Sequence, residues 1–381
     1  MPDIFDVAVI GASIGGSTLA CLLAEHNLKV ALLDKRVFPR AKACGEGLSW
    51  RGVQALERMR LADVLNEQNS LLFNGYSVAI NRNKVISIED EHTGLGVNRQ
   101  SFEMALLNKA YLSKQIVPLL GQNIEAVNIE NGLLISKRLS LKAKFIIDAS
   151  ASGVKLPTDK NYSTPKRYGI TFHVETKSHL PFDKVHIFRM PYGEFFCTPL
   201  GITKLNVSFL GYIRETNWRI SNEFLRSAIR TKLERLGCLV HSFTNPVGIS
   251  LTLGKRAPTL GENFLRVGDS CEQLDPIGGM GMTHALLCAE AAASTLKEIF
   301  NGNLGIQQSF EQYATAHEKF TRPLRAFTAM TQQMVCSWGS IPLASRIISC
   351  GIGRRVSQAI NRVELESTWE QKALSLIGAC I

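Results

Sequence analysis

The chain has 381 residues, of which 45% are hydrophobic and 20% charged, with a formal net charge of +10. Such a composition is that of an ordered globular protein with room for two or three units of about 100–200 residues each, and it argues against a disordered or low-complexity chain. No run of about 20 uncharged apolar residues is present and the N-terminus has no basic signal-peptide start, so a cytoplasmic protein without a spanning helix is expected.

The first element is a short apolar run, Asp6 to Ile10 (DVAVI), rich in branched residues and bounded by a glycine turn. This pattern predicts a buried parallel strand. Gly11-Ala12-Ser13-Ile14-Gly15-Gly16 follows, then an apolar helix through Leu19, Leu22 and Ala24, then a second strand, Lys29 to Leu33, ending at Asp34. Gly11 permits the tight turn, Gly16 lets helix and strand pack closely, and the helix start offers unpaired N–H groups to a pyrophosphate. Asp34 stands where an acid accepts from a ribose hydroxyl and repels a 2′-phosphate. Ser13 replaces the glycine of closest phosphate approach, and the turn alone does not separate FAD from NAD.

The segment Phe38 to Leu48 (FPRAKACGEGL) leads to a helix near Trp50, and Arg99 opens another helix. A strand, Lys144–Ile147, leads into Asp148-Ala149-Ser150-Ala151-Ser152. Alternating segments at 168–175, 184–190, 193–198 and 204–212 predict a mostly antiparallel sheet. Asn263 to Asp269 reads as a strand ending in Gly268-Asp269. Asp275 to Met282 (DPIGGMGM) is a glycine cluster placed before an apolar helix from about Thr283 to Ile299, and so offers a second set of donors at a positive helix end. Two such ends suit a cofactor with charge at two separated places. Beyond Ser309, apolar residues recur at helical spacing, with Pro323, Gly339, Pro342, Gly351 and Gly353 expected as breaks.

From Lys319 to Val363 there are seven Lys or Arg and no Asp or Glu. A solvated face, a dock for an acidic carrier protein or anionic metabolite, and contact with an anionic membrane surface are the three readings of that stretch; no nucleic-acid motif accompanies it. Nine cysteines are scattered with no CxxC pair and no metal-ligand spacing near a histidine, so they read as reduced thiols and no metal ligand is assigned.

Taken together, GASIGGS, FPRAKACGEGL, NRQSFEMAL and RVGDSCEQLDPIGGMGMTHAL resemble the FAD-dependent geranylgeranyl reductase-like proteins, relatives of the group A aromatic hydroxylases and flavin-dependent halogenases. The resemblance spans roughly residues 4 to 300. It implies an α/β fold: a Rossmann-like FAD-binding domain of the glutathione reductase type (1–75, 97–165 and 259–300), an antiparallel β-sheet substrate domain (76–96 and 166–258), and a C-terminal helical region (301–381). It also implies noncovalent FAD held by Gly11, Ser13, Ile14, Gly15, Gly16, Asp34, Lys35, Arg40, Ala43, Arg99 and Asp148 toward the adenine side. Gly268, Asp269, Pro276, Gly278, Gly279, Met280, Gly281 and Met282 would hold the flavin side. Cys44, Gly45 and Glu46 would line the reacting face, with Cys44 shaping the pocket or relaying a proton and Glu46 serving as an acid or satisfying backbone. Phe196, Pro199 and His173 would face an apolar substrate.

Departures from the family bear on the reaction. Asp148–Ser152 is a degraded form of the Asp-Gly motif that hydroxylases of this group link to NADPH use, so the electron donor, NADPH, NADH or a reduced carrier, stays open. Glu194 and Thr198 replace aromatics usual in prenyl reductases, and the tryptophan-rich halogenase segment is missing. Two enzymatic readings remain: a reductase of carbon–carbon double bonds, and a monooxygenase that hydroxylates or epoxidises through a flavin hydroperoxide. A non-enzymatic FAD-stabilised binding protein is the third.

Overall fold

The computed structural model describes residues 3–66, 70–79, 85–154, 167–181, 183–190, 193–212 and 221–336. β1 (Asp3–Ile10) is the centre of the first sheet, and its run of small and branched apolar residues is what a strand covered on both faces requires. Val7 and Val9 point into one buried cluster and Ala8 and Ile10 into another on the opposite face. It pairs in parallel with β2 (Val30–Asp34) and with β9 (Ser140–Asp148). β6 (Ile116–Leu120) extends the sheet in parallel beyond β2, and β18 (Phe264–Arg266) does so beyond β9. The antiparallel strands β17 (Thr259–Leu260), β8 (Leu133–Ser136) and β7 (Ile124–Asn128) complete eight strands among the described residues.

Helices α1 (Ile14–Ala24), α3 (Arg99–Tyr111) and α5 (Gly281–Phe300) cover the Val7 face, with Leu19, Leu106 and Leu286 fully buried there. α2 (Trp50–Arg58) packs on α5 and is tied to it by a bidentate Arg58–Glu290 pair at 2.8 and 2.9 Å.

The second sheet joins β10 (Arg167–Thr176), β11 (Val185–Met190), β12 (Gly193–Gly201) and β13 (Lys204–Tyr212) to β4 (Ser70–Ala79), β5 (Val85–Val97) and β3 (Gly47–Ser49). β14 (Val240–Phe243) and β15 (Val247–Leu251) pair with β10. All contacts are antiparallel except β11 with β4. Strand period two divides its faces. Phe172 and Val174 pack with Leu225, Ile229 and Leu233 of α4 (Asn222–Arg235), whereas Thr171 and Ser208 turn toward a cavity. A two-stranded ribbon, β16 (Gly254–Lys255) with β19 (Glu272–Gln273), flanks β17 and β18 in sequence.

Several expectations shift in detail. The second sheet starts at Gly47 and Ser70, ahead of residue 76, because β3 and the first half of β4 find their hydrogen-bond partners on β5. The strand expected to run to Asp269 ends at Arg266, where Gly268 (φ +66°) turns the chain into a 3-10 turn, and the following helix starts at Gly281.

Pro323 does not break the C-terminal region: α6 (Ile306–Cys336) runs through it for 31 residues. Proline costs one N–H bond and crowds a carbonyl, but Phe310, Tyr313, Thr321 and Leu324 are buried, and their packing holds the helix together across that position. Gly339, Pro342, Gly351, Gly353 and most of the basic stretch lie outside the described residues. Within it, Arg325 is not a free surface charge, since it pairs with Glu272 at 2.7 Å and with Glu318 at 3.0 Å.

Candidate functional site

A cavity of about 1890 Å³ opens at the carboxyl ends of β1, β2 and β9 and runs under the second sheet. Sites for a single small ligand occupy about 300–1,000 Å³, so this one has room for a dinucleotide and a second molecule. Every candidate named from the sequence lines it except Gly16, Asp148, Pro199 and His173.

At one end stands the turn after β1. Gly11 has φ +110°, and a Cβ there would collide with the Ala149 carbonyl; a Cβ on Gly16 would collide with the Gly11 carbonyl. Gly16 therefore acts through packing and not by facing the cavity. The first turn of α1 carries no side-chain cap and no acid, which leaves its N–H groups available to an anion. Asp34 accepts from the Ala12 amide at 2.9 Å and the Arg36 amide at 2.8 Å, so its carboxylate also fixes the turn that it closes.

Ser13, in the position of closest approach, joins a buried network. Its hydroxyl donates to Glu103 at 2.5 Å and accepts from Arg99 at 3.0 Å. Arg99 also donates to Glu103 at 2.9 Å and to the Cys44 sulfur at 3.4 Å. Burial pulls the Glu103 carboxyl up, but Arg99 and Arg40 outweigh it and hold Glu103 below its usual value. Burial likewise opposes the Arg99 cation, yet Cys44 and Glu103 hold it firmly charged. The sequence reading missed Glu103. Its signal was the Arg99-to-Glu103 spacing of four on one helix face.

The loop carrying Cys44, Gly45 and Glu46 is sewn to the second sheet. The Cys44 carbonyl accepts from Thr171, Asn206 and Ser208 at 3.3, 3.0 and 2.9 Å, and the Gly45 carbonyl from Thr198 at 2.8 Å. Glu46, with φ +55° and 5% exposure, accepts from the Arg99 amide at 2.8 Å and from Asn206 at 3.0 Å, and pairs with His173 at 2.7 Å. His173 thus supports Glu46 from outside the cavity. Lys42 sits beside Arg99, whose charge, with burial, brings it down to about 8.

The other end is built from the glycine cluster. Asp275 caps the 3-10 turn Pro276–Gly278 by accepting from the Ile277 amide at 3.0 Å, and Gly279 turns with φ +65°. A Cβ on Gly279 or Gly281 would meet nothing within 4 Å, and α5 begins there with neither side-chain cap nor first-turn acid. The arrangement is an open cradle at a positive helix end. Burial raises the Asp269 carboxyl above its usual value, although Lys42 and Arg99 pull the other way.

A cation that the sequence reading did not single out ties this end to the sheet. Arg167, 1% exposed, pairs with Glu194 at 2.5 Å and with Asp275 at 2.9 Å. Glu194, which departs from the family's aromatic, is thus the partner of a buried arginine. Phe73, Val78, Ile187, Phe196 and Phe209 give the sheet side of the cavity an apolar wall. Pro199 is not part of it, because its carbonyl packs against Gly96. Asp148 is fully buried and accepts from the amides of Ser150 and Val154 at 3.0 and 2.7 Å, so it shapes the 149–154 loop instead of facing the cavity.

Residues 9–43 match the NAD(P)-binding Rossmann-like domain family. Over 84% of the chain and 85% of the relative, the sequence is 25% identical to the digeranylgeranylglycerophospholipid reductase of Thermoplasma acidophilum. It is 22% identical to the 1H-pyrrole-2-carbonyl-[peptidyl-carrier protein] chlorinase of Pseudomonas fluorescens, over 81% and 79%. It is 23% identical to conditioned medium factor receptor 1 of Dictyostelium discoideum, over 82% and 67%. Among solved structures, a flavoprotein/dehydrogenase from Cytophaga hutchinsonii superposes with TM-score 0.78 at 17% identity, covering 99% of each chain. PqsL of Pseudomonas aeruginosa, a probable FAD-dependent monooxygenase, superposes at 0.66 and 15%, covering 99% of this chain and all of that one. The chain has the α/β fold of these flavoproteins and resembles the geranylgeranyl reductases in sequence.

Proposed function

We propose that a chain with this fold and these relatives is an FAD-dependent oxidoreductase that reduces a carbon–carbon double bond of an apolar or carrier-bound small molecule. The observation that carries the reading is one cavity joining two uncapped helix N-termini, those of α1 and α5, with an apolar sheet wall over the second.

The residues fit FAD bound without a covalent link. The α1 amides and the Arg99 cation would hold the pyrophosphate, and Asp34, Lys35, Arg40 and Ala43 would border the adenosine half. Gly268 and Asp269 would meet the ribitol, while Pro276 and Gly278–Met282 would cradle the ring. Bound reduced FAD would supply a hydride to one carbon, while a proton goes to the other. The positive end of α5 would favour negative charge on the ring's far edge. Arg99, Asn206 and His173 hold the Glu46 carboxylate, so we assign Glu46 the positioning of the Cys44–Gly45 loop, and Cys44 the shaping of the pocket. Phe196 and its apolar neighbours would bind the substrate and exclude water.

We also propose that the FAD-binding unit combines the first sheet with α1, α3 and α5, the second sheet with α4 is the substrate unit, and α6 is a helical cover; residues 337–381 lie outside the described residues. The electron donor would be a nicotinamide or a reduced carrier. An acidic carrier protein or anionic surface would suit the basic residues after Lys319. Among the described residues no helix is long and apolar enough to cross a membrane.

Similarity to PqsL favours monooxygenation as the second reading. The two separate when the anaerobically reduced protein is mixed with oxygen. Direct return of the oxidised spectrum, with saturation of a polyprenyl or carrier-bound enoyl probe under anaerobic turnover, supports the reductase. A transient absorbing species coupled to oxygen insertion contradicts it.

A further inference from the structure

The α5–α6 interface holds a cluster that the cavity chemistry does not use. His284 and Cys288 stand four residues apart on α5, and His317 and Thr321 four apart on α6, so each pair presents one helix face to the other. All four are buried, with exposures of 0%, 0%, 1% and 0%. The donor atoms of His284, Cys288 and His317 lie within 4.8 Å of one another.

Hydrogen bonding accounts for only part of the convergence, and the Cys288 sulfur is shared with the Tyr313 hydroxyl and the Gly268 backbone. The His284 Nε2 stands 3.4 Å from His317 Nε2, 3.5 Å from Cys288 Sγ and 3.2 Å from Thr321 Oγ1, and Thr321 Oγ1 is 3.4 Å from His317 Nε2. One ring nitrogen has a single hydrogen or a single lone pair to offer, so His284 Nε2 can satisfy only one of its three contacts at a time; 3.5 Å is ordinary for sulfur, while the 3.4 Å contacts lie beyond the usual range. These four separations match four of the six edges of a tetrahedron around zinc, and the Cys288–His317 pair, within 4.8 Å, would close further on the metal. Bonds of about 2.05 Å to nitrogen and 2.3 Å to sulfur place two nitrogens about 3.4 Å apart, and nitrogen and sulfur about 3.6 Å apart. The His284 Nδ1 has no hydrogen-bond partner among the described residues, and the ring packs against those of His317 and Phe320.

We infer that His284, Cys288 and His317, with the Thr321 hydroxyl as fourth donor, form a structural Zn²⁺ site that clamps α6 onto α5. Binding replaces the Cys288 thiol proton by the metal and releases one proton to solvent. The clamp sits behind the flavin-side cradle: α5 starts at Gly281, and Phe327, further along α6, lines the cavity. A search for CxxC spacing passes over this site because its ligands are spaced by helix turns and come from two helices.

The test is elemental analysis of the full chain purified from zinc-supplemented medium, with FAD occupancy and circular dichroism read on the same samples. The proposal expects one zinc per chain in the wild type and a loss of at least about tenfold in both Cys288→Ala and His317→Gln. Growth with Co²⁺ instead should give the visible d–d bands of a tetrahedral site, to the red of flavin absorption, and a sulfur ligand by X-ray absorption. Should the variants fail to fold, the wild-type stoichiometry and the cobalt spectrum decide alone. A natively folded wild type that holds less than about one-tenth of an equivalent of zinc after refolding with Zn²⁺, or variants that fold and keep their metal, overturns the assignment.

Discussion

Glu46 separates positioning from proton transfer more sharply than any other residue of the loop. Its carboxylate accepts from the Arg99 amide and Asn206 and pairs with His173, at 2.7 to 3.0 Å, while being 5% exposed. Truncation in Glu46→Ala strands the Arg99 amide and one N–H of the Asn206 side chain, whose other N–H keeps the Cys44 carbonyl; the partly exposed His173 would turn to water. At about 1–3 kcal/mol for each of the two stranded buried donors, the cost is about 2–6 kcal/mol. Glu46→Gln keeps an acceptor for the Arg99 amide and, through the other tautomer of His173, a partner there, but its NH2 faces the Asn206 NH2, so its cost should be about 1–3 kcal/mol. Thermal melting and FAD titration of both variants, followed by the turnover rate at full FAD occupancy, measure this directly. Positioning predicts a large loss of stability for alanine and near wild-type turnover for glutamine. Native melting and full FAD occupancy in Glu46→Gln, with turnover down by about 10²–10⁴, would refute it, because that is the signature of a lost general acid.

Gly16→Ala should yield folded protein without yellow cofactor, since its Cβ would overlap the Gly11 carbonyl and push α1 off the turn; absorbance of the purified protein checks it. Arg167→Met removes the common cation of buried Glu194 and Asp275 and should lower stability by about 3–5 kcal/mol in denaturant melts. Lys42, brought down to about 8 by Arg99 and by burial, carries its charge below that pH, and a bound pyrophosphate would raise it again. FAD binding should therefore take up a proton near pH 8 and weaken as pH rises through it. Calorimetry in buffers of different ionisation enthalpy should show that uptake, and Lys42→Met should abolish it.

Local pattern made the first sheet legible: strand, turn, helix and terminal acid between Asp6 and Asp34 follow from residues in register. The antiparallel strands were legible for the same reason, through alternation. What escaped were relations between distant segments. Glu103 and Arg167 matter because of what they meet, namely Ser13 at one end and Glu194 and Asp275 at the other, and no periodicity reports a partner far along the chain. Asp148 and Pro199 were placed by motif position and His173 as a substrate residue, yet each points into structure: Asp148 into its own loop, Pro199 against Gly96, His173 to Glu46. Pro323 reads as a break because proline lacks a donor, but the packing of α6 on both sides of it outweighs one lost bond.

The proposed cofactor site grips a dinucleotide at two helix starts and places its flavin under the second sheet. Calorimetric titration of the cofactor-free protein with FAD, FMN and NADPH tests it most directly. One FAD should bind tightly per chain and FMN much more weakly, because FMN lacks the adenosine half that would meet Asp34. Equal affinity for FMN and FAD, or tight binding of NADPH in place of FAD, would contradict it.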